Sequence, residues 1–203
     1  MPLPEGARLL ADTPAGLLVG PRKDVRQAAG GPVEVLDPAT GRVRARLADE
    51  GLVLAARGAD VVVTPCPTCP LTLHDLRVGA DAPQPLPGAA GDLAGVETAA
   101  LAPDGRHLAL VVPAGAPDRW DVVLTHLPGP THLPGGDERA AGTLPALRGL
   151  PGPVEGATPP LDWTPSGWLV VSDGTSLYAV APGPHAAYRV DVVVPQHRTL
   201  SVS

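Results

Sequence analysis

Cys66-Pro67-Thr68-Cys69 is the sharpest chemical signal in the chain. A C-x-x-C spacing serves a redox pair, half of a zinc site or a small disulfide. Redox exchange requires a helix N-terminus that lowers the thiol pKa of the leading cysteine. Here the motif follows the strand-like run Val61-Val62-Val63 and is boxed by Pro65, Pro67 and Pro70, so no helix can begin at it. Zinc requires four ligands, with thiolates in two pairs or beside paired histidines. The chain has 2 Cys in all, and no His-x-x-x-His pair follows at finger spacing. The readings left for Cys66 and Cys69 are a structural disulfide or two free thiols, and neither metal nor cofactor is assigned. A disulfide would favour an oxidising compartment.

The other reactive side chains do not converge in the sequence. The 6 His are His74, His107, His126, His132, His185 and His197. His126 and His132 flank Leu-Pro-Gly-Pro-Thr, which is not a ligand spacing, and His74 falls on a strand. No G-x-S-x-G nucleophile elbow exists. Ser166 in Pro165-Ser166-Gly167 and Ser172 beside Asp173-Gly174 suit turn formation through side-chain hydrogen bonds. Asp49-Glu50 and Asp137-Glu138 are adjacent pairs that suit solvated loops, and Asp162 is placed to bond a backbone amide. Gly30-Gly31 and Gly135-Gly136 lack the strand–glycine–helix context of a phosphate loop. No catalytic residue is assigned.

The elements that must position these groups are short strands. With 27 Pro and 24 Gly in 203 residues, long helices are excluded over most of the chain. Val43–Ala59 has the best helical pattern, but Gly51 splits it, so strands are expected at Arg42–Leu47 and Leu52–Ala55. Further strands are expected at Gly16–Gly20, Val33–Leu36, Asp60–Thr64, Leu71–Leu76, Thr98–Leu101, Leu108–Val112, Trp120–Thr125, Leu161–Trp163, Trp168–Val171, Ser176–Val180 and Tyr188–Val194. Asp37-Pro38-Ala39-Thr40-Gly41 is a hairpin loop, in which Pro presets the turn and Gly accepts positive φ at the exit. Ala80–Gly95 and Pro128–Pro160 read as loops that could each hold a poorly patterned outer strand.

Composition narrows the classes further. Hydrophobic residues make up 44% and aromatics only 2%, so Val, Leu and Ala must build the core around a few anchors such as Trp120, Trp163 and Trp168. Phe, Ile and Asn are absent and Lys23 is the sole lysine, a bias that a GC-rich genome explains. A net charge of -6 gives no footprint for nucleic acid, which requires clustered Arg and Lys. Arg42, Arg44 and Arg46 alternate on one strand face and read as solvated. No stretch approaches the ~20 apolar residues of a transmembrane segment, and the first residues have neither the basic nor the apolar region of a signal peptide.

The turn-and-strand unit recurs about every 40–50 residues, a spacing that suits propeller blades stacked on their neighbours. Ala102-Pro103-Asp104-Gly105-Arg106-His107-Leu108-Ala109-Leu110-Val111-Val112 followed by Trp120–Gly129 resembles the repeat of TolB-like and WD40-like bacterial β-propellers. Leu161–Gly183, with Pro165, Ser166 and Gly167 at the turn, is similar to the same unit. Val33–Val43 and Leu71–Gly79 are similar to the hairpins that end a blade. Cys66–Gly79 resembles actinobacterial propellers in which two cysteines precede a third strand. The expectation is an all-β, propeller-like domain of four to five antiparallel blades, at approximately 8–50, 51–95, 96–150 and 151–203. The ring is either small or the C-terminal part of a longer propeller, and the second reading is preferred. The chain would be cytoplasmic if Met1 is its start, and extracytoplasmic or anchored if it is a fragment. The expected role is a non-catalytic scaffold that meets a protein partner through loops on one rim. A propeller hydrolase or its accessory domain, and a cell-envelope module for carbohydrate or another small ligand, are the alternatives.

Overall fold

The computed structural model describes residues 8–21, 30–64, 70–77, 84–86, 95–127, 144–152, 158–181 and 187–190. Cys66 and Cys69 lie outside the described residues, as do His132, His185 and His197. Among the described residues all regular structure is β, with no helix. Strands β1 (Arg8–Thr13), β2 (Gly16–Gly20), β3 (Gly31–Leu36), β4 (Val43–Arg57), β5 (Asp60–Thr64), β6 (Thr72–Asp75) and β7 (Gln84–Pro85) form a seven-stranded antiparallel sheet in sequence order. A second sheet has the order β11 (Leu144–Pro151), β10 (Arg119–His126), β9 (His107–Pro113), β8 (Thr98–Leu101). A third runs β12 (Leu161–Trp163), β13 (Leu169–Ser172), β14 (Leu177–Val180), β15 (Ala187–Val190). Every pairing is antiparallel between consecutive strands, so the chain is a succession of meanders.

The long β4 divides the first sheet into two. Its section from Val43 to Gly51 pairs with β3, and its section from Leu52 to Arg57 pairs with β5. The chain folds back between them. A Cβ on Gly51 would lie 2.6 Å from the Cβ of Ala48, whereas residues three apart in an extended strand are separated by roughly 10 Å. Glycine alone tolerates that approach. The sequence separates two strands at Gly51, and the structure joins them through this kink. No helix forms over Val43–Ala59, because both halves find ladder partners instead.

Four four-stranded units result, and three apolar clusters hold them face to face. Leu18, Val33 and Val35 of the first unit pack with Val61, Val63 and Leu76 of the second. Val62 and Leu73, from the other face of the second unit, pack with Leu108, Leu110 and Val123 of the third. Ala109, Val111 and Val122, on the opposite face of the third, pack with Trp163, Leu169 and Val171 of the fourth. Successive side chains of a strand point to opposite faces, so β5 and β9 each feed two clusters. Burying each such Val or Leu contributes about 1.5–3 kcal/mol. The first strands of successive units also touch: β1 meets β4, β4 meets β8, and β8 meets β12.

One strand departs from the sequence reading, and two others take up its outer-strand alternative. β1 is a strand that the pattern Arg-Leu-Leu-Ala-Asp-Thr did not announce, and it, rather than Gly16–Gly20, is the first strand of its unit. β7 and β11 lie in the two stretches read first as loops, and they are the outer strands those stretches could hold. Pro85, Pro145 and Pro151 are tolerated there because an edge strand leaves one side of its backbone unpaired.

Candidate functional site

Turns of the second, third and fourth units meet at one rim, and this rim gathers the ionisable and aromatic groups. In the second unit β4 ends at Arg57, and Gly58 turns the chain with φ +57° into Asp60. Asp60 Oδ1 accepts a hydrogen bond from Arg77 NH2 at 2.9 Å, and Arg77 Nε donates to Asp75 Oδ1 at 2.8 Å. The third unit presents Pro103-Asp104-Gly105, closed by a bond from the Gly105 amide to the Ala102 carbonyl at 3.1 Å. Gly105 has φ +65°, and a Cβ there would meet Asp60 Oδ2 at 3.3 Å. Arg57 NH1 donates to the Leu101 carbonyl at 3.3 Å, a second link between the units.

The Pro-Asp-Gly turn also orients a histidine. Asp104 Oδ1 accepts from the Arg106 amide at 2.8 Å, which leaves Oδ2 to meet His107 Nδ1 at 2.8 Å. His107 opens β9 and lies opposite His126, which ends β10. Their ring centroids are 5.0 Å apart with planes at 76°. The His107 ring also lies near Trp163 of the fourth unit, at a centroid distance of 6.4 Å with planes at 38°. Trp163 is buried, and its Nε1 donates to the Ala100 carbonyl at 3.0 Å. Trp168 completes this end of the fourth unit, with 37% of its surface exposed.

The titrations at the rim follow from these contacts. Burial raises the Asp60 carboxyl; Arg77 opposes that shift without cancelling it, and Asp75 reinforces it. Burial would likewise raise Asp75, but its hydrogen bonds from Arg77 win and lower it. Asp104 shows the same competition, with the Arg106 amide and His107 outweighing burial. His126 is lowered, first by burial and then by His107 and Arg106, with Asp104 pulling the other way.

The remaining candidates are placed as turn formers. Ser166 Oγ pairs with Thr164 Oγ1 at 3.0 Å, and Ser172 Oγ accepts from the Gly174 amide at 3.2 Å. Asp162 Oδ1 accepts from the Trp163 amide at 2.7 Å. The buried Asp173 is fully engaged by the amides of Thr175 and Ser176 and the hydroxyls of Thr175 and Tyr178. Burial alone would raise its carboxyl, but these donors hold it at about 2. His74 is buried inside the second unit, where its Nε2 lies 3.2 Å from Thr72 Oγ1.

The arginine strand is solvated, as its alternation suggests, yet each of two guanidiniums has a fixed partner. Arg44 binds Asp37 Oδ2 through Nε and NH2, at 3.0 and 2.5 Å. The Thr40 amide and Arg44 hold the Asp37 carboxyl at about 2. Arg46 binds Glu34 Oε1 at 2.6 Å. Glu34 is buried and went unnoticed in the sequence, although its position between Val33 and Val35 puts it on the face opposite the core.

A cavity of about 260 Å³ lies between β1 and the second half of β4. Leu9, Leu10 and Val53–Ala56 line it, with Arg8 as its single charged group. Among the described residues, no group of three or more His, Cys, Asp or Glu is placed to hold a metal ion, and no helix is long and apolar enough to cross a membrane. Neither a protein-family model nor a curated protein matches the chain.

Proposed function

We propose that the chain is a propeller-like scaffold whose rim, formed by Asp60, Arg77, Asp104, His107, His126 and Trp168, docks a protein partner. The observation that carries this reading is the gathering of ionisable and aromatic side chains from three units on one rim. The Arg77–Asp60 ion pair, the Asp104–His107 contact and the exposed Trp168 sit on these turns. An interface core of aromatic and Arg side chains within a polar surround is the composition that protein partners recognise. The stacking of successive units, with their first strands adjoining, supports a radial arrangement about one axis.

The test is residue-resolved crosslinking in the source cell, with the wild type beside Trp168→Ala, Arg77→Glu and a control at the far end of β9–β10, Asp118→Ala. Partner crosslinks should fall on the rim turns and drop at least tenfold in the two rim variants while the control keeps them. Crosslinks concentrated around Asp118, or equal in all three variants, would overturn the reading.

A further inference from the structure

We propose that His107 and His126 form a two-imidazole site for a divalent transition-metal ion, with Asp104 as the residue that positions His107. The two side chains are direct cross-strand neighbours at the ends of β9 and β10, and strand pairing fixes their separation. Two imidazoles on one tetrahedral ion, each with a metal–nitrogen bond of about 2.0–2.1 Å, have ring centroids roughly 5 Å apart. The observed separation is 5.0 Å.

The hydrogen bonds leave the right atoms available. Asp104 Oδ2 holds His107 Nδ1 at 2.8 Å, so Nε2 carries the lone pair that faces away from the carboxylate. A carboxylate bonded to the second nitrogen is how metal-bound histidines are oriented and made more basic. Among the described residues, no hydrogen bond engages His107 Nε2 or the ring of His126. Charge at the site is mixed. Asp104 favours a cation, and Asp60 lies 3.3 Å from the position of a Gly105 Cβ in the same turn. Arg106 opposes both. The Trp163 ring lies 6.4 Å from that of His107, centroid to centroid.

Neutral imidazole selects Cu²⁺, Ni²⁺ and Zn²⁺ over Mg²⁺ and Ca²⁺, which take oxygen ligands. With two protein ligands the remaining coordination positions stay open to water or to a donor from a bound partner.

The experiment is calorimetric titration of the full-length chain with NiCl₂ and ZnCl₂ at pH 7.5. A Cys66→Ser/Cys69→Ser background removes the thiolates as competing ligands. One equivalent should bind, and His107→Gln or His126→Gln should each weaken binding at least tenfold. Asp104→Asn keeps the acceptor for the Arg106 amide, and should weaken binding about 10–100-fold as an orienting partner does. A thermal melt of each variant without metal separates loss of the site from loss of the fold. Unchanged binding in either histidine variant, equal binding of Mg²⁺, or no binding at millimolar Zn²⁺ would overturn the proposal. None of these outcomes bears on partner docking, which the crosslinking reads separately.

Discussion

Strands β9 and β13 occupy equivalent places, each the second strand of its four-stranded unit, yet they are buried differently. β9 has five consecutive buried residues, Leu108 to Val112, because its two faces feed two different clusters. β13 alternates, with Leu169 and Val171 buried and Val170 and Ser172 only half-covered. Their sequences are equally apolar over Leu-Ala-Leu-Val-Val and Leu-Val-Val. The difference is therefore one of neighbours. The third unit lies between two others, whereas among the described residues the fourth is packed on one side.

The most damaging way to break this comparison is to remove the anchor between the two units. Trp163→Ala should destabilise the fold by about 3–5 kcal/mol, since it empties a large site in the third cluster and strands the Ala100 carbonyl. Trp163→Phe keeps most of the volume, and chemical denaturation should place its loss near 1 kcal/mol. Equal losses for the two would mean that the hydrogen bond, not the packing, joins the units.

A matched valine pair sharpens the comparison. Val111→Ala removes two methyl groups from a fully buried position and should cost roughly 2 kcal/mol. Val170→Ala removes the same atoms from the half-covered face of β13, and its loss should stay below about 0.8 kcal/mol. Comparable urea midpoint shifts at constant m-value would show that the outer face of β13 is covered in solution.

Gly105 tests the rim turn. Gly105→Ala forces a side chain into φ +65° and toward Asp60 Oδ2, for a loss of about 1–2 kcal/mol by thermal melting. Gly115, in the turn at the other end of the same sheet, has a similar φ of +77° but open space around it. Gly115→Ala should therefore lose only the backbone component, and the difference between the two melts measures the contact between units.

The last test is of acid sensitivity. Asp173 sits at about 2 in the fold, against about 3.9 in an unfolded chain. A depressed carboxyl contributes stability that is fully present above the unfolded value and is lost as the pH falls through the folded one. Asp37 acts in the same direction over the same window. Asp173→Asn should flatten the fall in melting temperature between about pH 4 and pH 2. An unchanged acid limb would assign that fall to other carboxylates.

Much of the fold was legible in the sequence because its signals are local. The hairpin at Asp37–Gly41 forms as its residues dictate: the Ala39 and Thr40 amides bond Asp37 Oδ1, and Gly41 adopts φ +70°. The Pro-Asp-Gly turn and the β9 strand after it were equally plain. β1, β7 and β11 were not, because an outer or a leading strand is defined by the partner it pairs with rather than by an apolar pattern of its own. For the candidate site, spacing directed attention to His126 with His132 and to the cysteine pair. Cys66, Cys69 and His132 lie outside the described residues, and the structure places His126 against His107, nineteen positions earlier, through strand register.

By itself the amino-acid order determined where the chain extends and where it turns, since proline, glycine, aspartate and side-chain alternation act within a few bonds. Only the tertiary structure decided which faces are covered, that Gly51 folds one strand across two units, and that two distant histidines share an edge. Those outcomes depend on contacts between segments far apart along the chain, and local preference carries no record of them.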